Sequence, residues 1–533
     1  MFSNSRRPAL AFLAGWIASA GSGMQPAHGQ WGDQGDGTYA NPVMPGDFSD
    51  LDAIRAGAGY YAISSTFQYS PGVAVLYSTD LVNWRIVGHV VDDLTRIGPE
   101  LNWDKMSRPG RGIWAGSIRY HAGRFWLYFG TPDEGFFMSS AAEPAGPWKP
   151  VTALGPGPGW DDPCPFWDDD GQGYLIATHF ATEPSNGRNY NIHLFKLSAA
   201  GDRILPDSDR IVHQSRGSEA NKLYKIGGTY YHFFSEVKPE GRVAMMGRAR
   251  SLDGPWETRQ LNHVDRKVDK EPNQGGLVQL PSGEWYFVTH QGTGDWEGRA
   301  GVLLPVTWVD GWPVIGAPGP DGIGGMVWSG RKPIQGGAVT SLAASDDFNS
   351  PRLKPEWEWR YQPRAGKWSL AERPGFLRLH AFRPLAAGGF PAAGNVLTQR
   401  SMRTRRSQVT AKLDLSGMAD GQQAGIAHFA KTYCWFGVAQ SGGVRTLTLN
   451  RDGAVAAGPR VARTALWLRT TWDFEGRSQF FYSLDGVGFE PFGEAYQLTW
   501  GSYRGDRIGI FTFNELGESG HLDVDDFQYT LER

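Results

Sequence analysis

Lys222-Leu-Tyr-Lys-Ile-Gly-Gly-Thr-Tyr-Tyr-His-Phe233 reads as two short strands joined by a Gly-Gly turn. Apolar and aromatic residues flank a dipeptide that accepts the positive φ a two-residue hairpin demands. The pattern occurs four more times, as Ala53-Ile-Arg-Ala-Gly-Ala-Gly-Tyr-Tyr-Ala-Ile-Ser64, Ser117-Ile-Arg-Tyr-His-Ala-Gly-Arg-Phe-Trp-Leu-Tyr128, Pro165-Phe-Trp-Asp-Asp-Asp-Gly-Gln-Gly-Tyr-Leu-Ile176 and Leu277-Val-Gln-Leu-Pro-Ser-Gly-Glu-Trp-Tyr-Phe-Val288. Aligned on their turns, the five place Tyr60, Phe125, Tyr174, Tyr230 and Trp285 in register, with a period of roughly 50–65 residues. Three further stretches, Ser78-Thr-Asp-Leu-Val-Asn-Trp84, Ala145-Gly-Pro-Trp148 and Ser251-Leu-Asp-Gly-Pro-Trp256, each follow a hairpin pair, as an outer blade strand would. The spacing predicts an all-β chain with a five-bladed β-propeller over residues 31–325. A chance run of hairpins in a sandwich would not give five matches in order.

The rest of the chain fits around that repeat. At 533 residues it is too long for one ordinary core. Residues 326–344 lie in a Gly-, Pro- and Ala-rich connector. From 345 to 533 the blade repeat is gone. Alternating strands such as Gln408–Leu415, Thr446–Asn450, Leu466–Phe474 and Ile508–Phe513 predict a β-sandwich there. Residues 1–29 have the layout of a secretory signal peptide: Arg6 and Arg7, a short apolar run from Pro8 to Ala20, and small residues around Ala27-His-Gly29. The apolar run is too short to span a bilayer, and Ser5-Arg-Arg7 faintly resembles a twin-arginine signal. A secreted or periplasmic protein is expected. The net charge is −3, with no basic block, so nothing points to nucleic acid, and no later stretch is apolar enough for a membrane. The two cysteines, Cys164 and Cys434, fall in different predicted domains, which argues against a disulfide framework.

The chemistry is carried by carboxylates. The sequence holds no G-x-S-x-G, H-E-x-x-H, Walker loop or dinucleotide fingerprint. Asp50 (first blade), Asp162 (third) and Glu219 (fourth) each stand just before the inner strand of their repeat. Inner strands line the hub of a propeller, so acids at their starts converge on one mouth. Such a group suits glycoside hydrolysis: one carboxylate takes a proton from water, and a carboxyl with a raised pKa protonates the leaving oxygen. A third, nearby, raises that pKa by like-charge repulsion. Alone, each acid before a strand is better explained as a turn or cap residue; the three matching positions together favour the site. Asp168-Asp-Asp-Gly171 has the look of a calcium loop, but Asp-Gly between two strands is more simply a hairpin turn.

At these residues the chain resembles glycoside hydrolase family 43, the β-xylosidase and α-L-arabinofuranosidase family. The likeness covers residues 40–316 and is carried by Asn41-Pro42, Gly46-Asp-Phe-Ser-Asp50, Ser64-Ser-Thr-Phe67, Pro71-Gly72, Ile113-Trp-Ala115, Asp162-Pro163, Glu219, Leu223-Tyr224 and Trp308-Val-Asp-Gly-Trp-Pro313. The resemblance implies that Asp50 is the general base, Glu219 the general acid and Asp162 the carboxylate that tunes the acid. It implies a substrate-binding set of Trp114 as an aromatic wall, Arg299 on sugar hydroxyls, Phe67 at the pocket rim, and Gln274 where many members carry a channel histidine, often beside calcium. Inversion by a single displacement is implied, with the Asp50 and Glu219 carboxyls about 6.5–9.5 Å apart. Three departures stand out: Leu51-Asp52 follows the base where proline is usual, Trp114-Ala-Gly116 replaces Trp-Ala-Pro, and the amide of Gln274 is a poorer anchor for a cation than the usual histidine. Asp347-Phe348, Trp368-Ser-Leu370, Leu397-Thr-Gln-Arg400 and Trp435-Phe-Gly-Val438 resemble the concanavalin-like sandwich that follows some members. That likeness implies a loop reaching over the propeller mouth.

No cofactor is expected to be required. Asp346, Asp347, Asp523, Asp525 and Asp526 are the candidates for a structural calcium, with caps of edge strands as the alternative. The expected activity is exo-acting release of terminal xylose from xylo-oligosaccharides. α-L-Arabinofuranosidase activity, endo action on xylan or arabinan, and a sugar-binding propeller without catalysis are the alternatives. The expected partner is an oligosaccharide. Oligomeric state is not readable from the sequence.

Overall fold

The computed structural model describes residues 30–180, 182–183, 187–188, 190–264, 272–292, 295–386 and 388–532; the expected signal segment, 1–29, lies outside them. Five four-stranded antiparallel sheets form the propeller. Blade one runs from Asp52–Ala56 to Trp84–Val91, blade two from Gly116–His121 to Thr152–Gly155, and blade three from Trp160–Trp167 to Arg210–Ser215. Blade four runs from Glu219–Ile226 to Glu257–Gln260, and blade five from Gly275–Gln279 to Trp312–Ile315. The first strands gather at a hub, where Asp52–Ala56 neighbours both Gly116–His121 and the blade-five strand Gly275–Gln279. Middle strands such as Gly135–Ala141 are buried along their whole length. Each blade is covered on both faces by its neighbours, so these strands read as unbroken apolar and aromatic runs rather than alternating ones.

The ring is closed by the stretch before blade one. Met44 pairs with Gly301 of blade five. Asn41 exchanges hydrogen bonds with the backbone of Leu303, donating from Nδ2 to its carbonyl and accepting its N–H at Oδ1, both at 2.9 Å. The Asn41-Pro42 signature is thus a clasp rather than a catalytic element. The three Trp-containing motifs are turns leading into the outermost strands, not the strands themselves. Asp80 accepts from the N–H groups of Val82 and Asn83 and so builds the turn that delivers Trp84. Asp168–Gly171 joins the first two strands of blade three, as a hairpin turn should.

The connector is a built strap. Ser329–Arg331 pairs with Thr38–Ala40. Lys332, 6% exposed, lies 2.5 Å from Asp33 and 3.1 Å from Asp80. Residues beyond it form a sandwich of two seven-stranded sheets. In Arg406–Asp414, buried Val409, Ala411 and Leu413 alternate with the half-buried Gln408, Thr410 and Lys412, the period of a sheet with one face inward. One apolar core runs through both domains, from Phe48 and Trp84 of the propeller to Trp357, Leu397 and Leu413 of the sandwich.

Candidate active site

Each of the three predicted acids sits at or beside a residue in the left-handed backbone region: Asp50 (φ 56°), Asp162 (φ 52°), and Ala220 (φ 67°) next to Glu219. A non-glycine residue held there carries strain of about 1–3 kcal/mol. Pairing registers shift between Asp161 and Cys164 and between Glu219 and Lys222, and such irregularities re-aim side chains at strand ends. Asp50 precedes its inner strand and Glu219 opens its own, but Asp162 lies inside Trp160–Trp167 rather than before it.

Asp50 is fixed from three sides. Its N–H donates to His290 Nδ1 (2.8 Å). Its carboxylate accepts from Ser65 Oγ (2.7 Å) and from Arg299 Nη1 (2.5 Å). Burial, with the Arg299 charge adding to it, pushes the His290 imidazole down to about 3, so its Nδ1 keeps the lone pair that the Asp50 N–H needs. The Asp162 carboxylate accepts from the Ala220 N–H (2.8 Å) and from Gln274 Nε2 (2.6 Å). Glu219 Oε1 lies 3.1 Å from Arg242 Nη1, with 27% of the Glu219 side chain open to solvent. Burial pushes the Glu219 carboxyl up to about 7; Arg242 and Arg299 oppose the rise, and the charges of Asp162 and Asp50 add to it. Asp50, Asp162 and Glu219 therefore share one electrostatic site.

The other predicted residues fall around this group. Trp114 is half-buried, donates from Nε1 to the Gly110 carbonyl (3.0 Å) and lies under the Arg111 guanidinium at 5.8 Å. Phe67 differs from the expectation of a rim residue. It is 3% exposed, and its backbone pairs with Ile113 beside Trp114, so it braces the wall from within. Arg299 is engaged by the Asp50 carboxylate, and its guanidinium lies 4.9 Å from the ring of Tyr503, on a loop of the sandwich. Gln274 acts on Asp162. The additional acid Asp52 accepts from the Ile118 N–H (2.9 Å) and Arg119 Nη1 (2.7 Å), which ties that oxygen to the hub rather than to the base.

Three neighbours of the site escaped sequence reasoning. Asp161 is buried, its carboxyl is pushed well above the ordinary range by burial and by Asp162, and its Oδ1 finds no hydrogen-bond partner among the described residues. The acid doublet was its only signal. Arg242 and His290 gave none, since nothing in their spacing says what they face. The five sandwich acids do not converge. Asp523 pairs with Arg373 and Arg378, Asp525 with Lys412, and Asp346 accepts from Trp357 Nε1. Asp347 caps Asn349, and Asp526 accepts from Gln528. Among the described residues no group of three or more His, Cys, Asp or Glu is placed to hold a metal ion.

A carboxyl that keeps its proton to near neutrality, set beside two further carboxyls at a propeller hub, defines a class of enzyme that cleaves glycosidic bonds. Residues 39–313 match the family described as glycosyl hydrolases family 43, and residues 345–530 match the beta xylosidase C-terminal concanavalin A-like domain. The chain belongs to glycosyl hydrolase family 43 and is a glycoside hydrolase. It is 35% identical to a beta-xylosidase of Formosa agariphila, over 94% of this chain and 92% of that one. It is 29% identical to a non-reducing end alpha-L-arabinofuranosidase of Bacteroides ovatus, over 71% of this chain and 69% of the relative. A solved structure of a bifunctional GH43-CE protein from Bacteroides eggerthii superposes with a TM-score of 0.81 at 29% identity, covering 95% of this chain. The present chain spans 64% of that longer protein.

Proposed function

We propose that this enzyme is an exported, exo-acting, inverting β-xylosidase that releases terminal xylose from β-1,4-xylo-oligosaccharides of plant cell walls. The observation that carries the reading is the contrast between two carboxyls. Glu219 holds a proton to about pH 7, while the Asp50 carboxylate is held in hydrogen bonds from Arg299 Nη1 and Ser65 Oγ. In this reading Asp50 takes a proton from water as its oxygen attacks the anomeric carbon, and Glu219 gives its proton to the departing glycosidic oxygen. Asp162, held by Gln274 and Ala220, lies beside the acid, and its charge adds to the rise that burial gives the Glu219 carboxyl. Trp114 offers a face to the sugar ring. The carboxyls carry the reaction, and no cofactor takes part. The signal layout of residues 1–29 supports export to the periplasm or medium, where such oligosaccharides are met.

The choice of xylose is supported by the Formosa agariphila relative, named a beta-xylosidase. α-L-Arabinofuranosidase activity is the second reading, favoured by the name of the Bacteroides ovatus relative. A panel of nitrophenyl glycosides separates the two. Glu219→Gln is expected to lower kcat/KM on the nitrophenyl β-xyloside by about 10²- to 10⁴-fold; unchanged turnover would refute the assignment of Glu219 and leave room for a propeller that only binds.

A further inference from the structure

Leu397-Thr-Gln-Arg400 of the sandwich ends in a guanidinium buried 98% from solvent, far in sequence from any of the acids. Arg400 stands directly opposite Arg507 on the adjacent antiparallel strand, and Glu358 opposes Thr398 on the strand beyond. Two like charges facing each other across a sheet are unfavourable, and buried ions are poor stabilisers against well-packed apolar groups. Their partners show what they hold. Glu358 lies 2.9 Å from Arg400 Nη1 and 2.6 Å from Arg507 Nη1. Arg400 Nε donates to the backbone carbonyl of Asp47 (2.7 Å), and its guanidinium lies 4.8 Å from the ring of Phe48. Arg507 Nη2 is 4.0 Å from Asp47 Oδ2. Both guanidiniums thus meet the propeller at Asp47, Arg400 through its backbone carbonyl and Arg507 by the approach of its carboxylate, three residues before Asp50.

The turn between them is short and fully engaged. Ser49 Oγ donates to Asp47 Oδ1 (2.8 Å), the Ser49 carbonyl accepts from Ser64 Oγ (2.9 Å), and the Phe48 N–H donates to the Arg299 carbonyl (2.9 Å). It ends on Asp50 at φ 56°, a backbone state that persists only when its surroundings over-determine it. We propose that Arg400 and Arg507, bridged by Glu358, are positioning residues through which the sandwich domain clamps the Asp47–Asp50 turn and sets the placement of the Asp50 carboxylate. The inference rests on the reading of Asp50 as the base and adds that its geometry is imposed from the second domain.

The test compares full-length wild type, Arg400→Lys, Arg507→Lys, Asp50→Ala and, as a control ion pair on the other sheet, Arg378→Met, on a nitrophenyl β-xyloside. Lysine keeps the cation beside Glu358 and loses the planar fork that reaches Asp47. Both lysine variants are expected to remain folded by circular dichroism. Their kcat should fall about tenfold or more, as a misplaced reacting group requires, with KM within about twofold of wild type. Arg378→Met should keep wild-type kcat. Wild-type kcat in both lysine variants, or loss of the folded state in both, would overturn the proposal, the latter by showing that the cluster serves the fold. An active Asp50→Ala variant would instead remove the parent reading of Asp50, so the two failures are distinct.

Discussion

Glu219 is where opposing forces on one proton can be read separately. Burial penalises its carboxylate, Arg242 favours it, and Asp162 again disfavours it, with the outcome a carboxyl raised to about 7. A general acid must carry its proton, so kcat/KM is expected to be full below that value and to fall as pH rises through about 7. Arg242→Met removes the cation 3.1 Å away, and the alkaline limb should then move to higher pH. A limb that stays in place would show that Arg242 does not act on this proton. The three acids could be grouped from the sequence because each stands near the start of an inner strand of its repeat, although Asp162 falls inside its strand rather than before it. Asp161 and His290 were not, because what matters about them is burial and a facing partner, and neither leaves a mark in residue spacing. The family resemblance implies a rim position for Phe67; its backbone pairing with Ile113 draws it inside.

Among the elements, the blade-five turn ending at Arg299 packs closely against the sandwich loop 500–506 beside the site. Gly298 has φ 81°, and a Cβ there would lie 2.4 Å from the backbone nitrogen of Gly505 and 2.8 Å from Asp47 Oδ1. Both backbones pass too close for any side chain. Gly298→Ala is expected to destabilise the protein by about 1–3 kcal/mol through its backbone conformation alone, seen as a lower Tm. It should also weaken hydrolysis, because the alanine methyl pushes on the Asp47–Asp50 turn. A wild-type Tm would contradict the contact. The blades themselves were legible from turn chemistry and aromatic register, since a Gly-containing turn between apolar runs has few alternatives. The outer motifs were displaced by one element. Ser78–Trp84 follows its hairpin pair where an outer strand is expected, yet the Asp80 carboxylate accepts from turn N–H groups, and the strand begins only at Trp84.

The whole molecule behaves as one body in its packing. Trp84, Phe48 and Met44 share a core with Trp357, Trp359 and Leu397 across the domain boundary, and the strap that joins the domains is itself pinned by the buried Lys332. A fragment ending at residue 344 would expose the propeller side of that core and lose Arg400, Arg507 and Tyr503. It is expected to aggregate, or to remain soluble without measurable hydrolysis; a soluble, fully active propeller would contradict the account. The two-domain division was legible from the loss of the blade repeat near residue 345. The dependence of one domain on the other was not, because contacts between residues hundreds of positions apart, such as Arg400 with Asp47, have no local signature.

The central claim is that Asp50 and Glu219 act together in a single displacement at the anomeric carbon. Proton NMR of the first product released by the wild-type enzyme from a nitrophenyl β-xyloside tests it most directly. The account predicts that α-xylose appears first and only later equilibrates with its β-anomer. β-Xylose appearing first would mean that configuration is retained, and would contradict it.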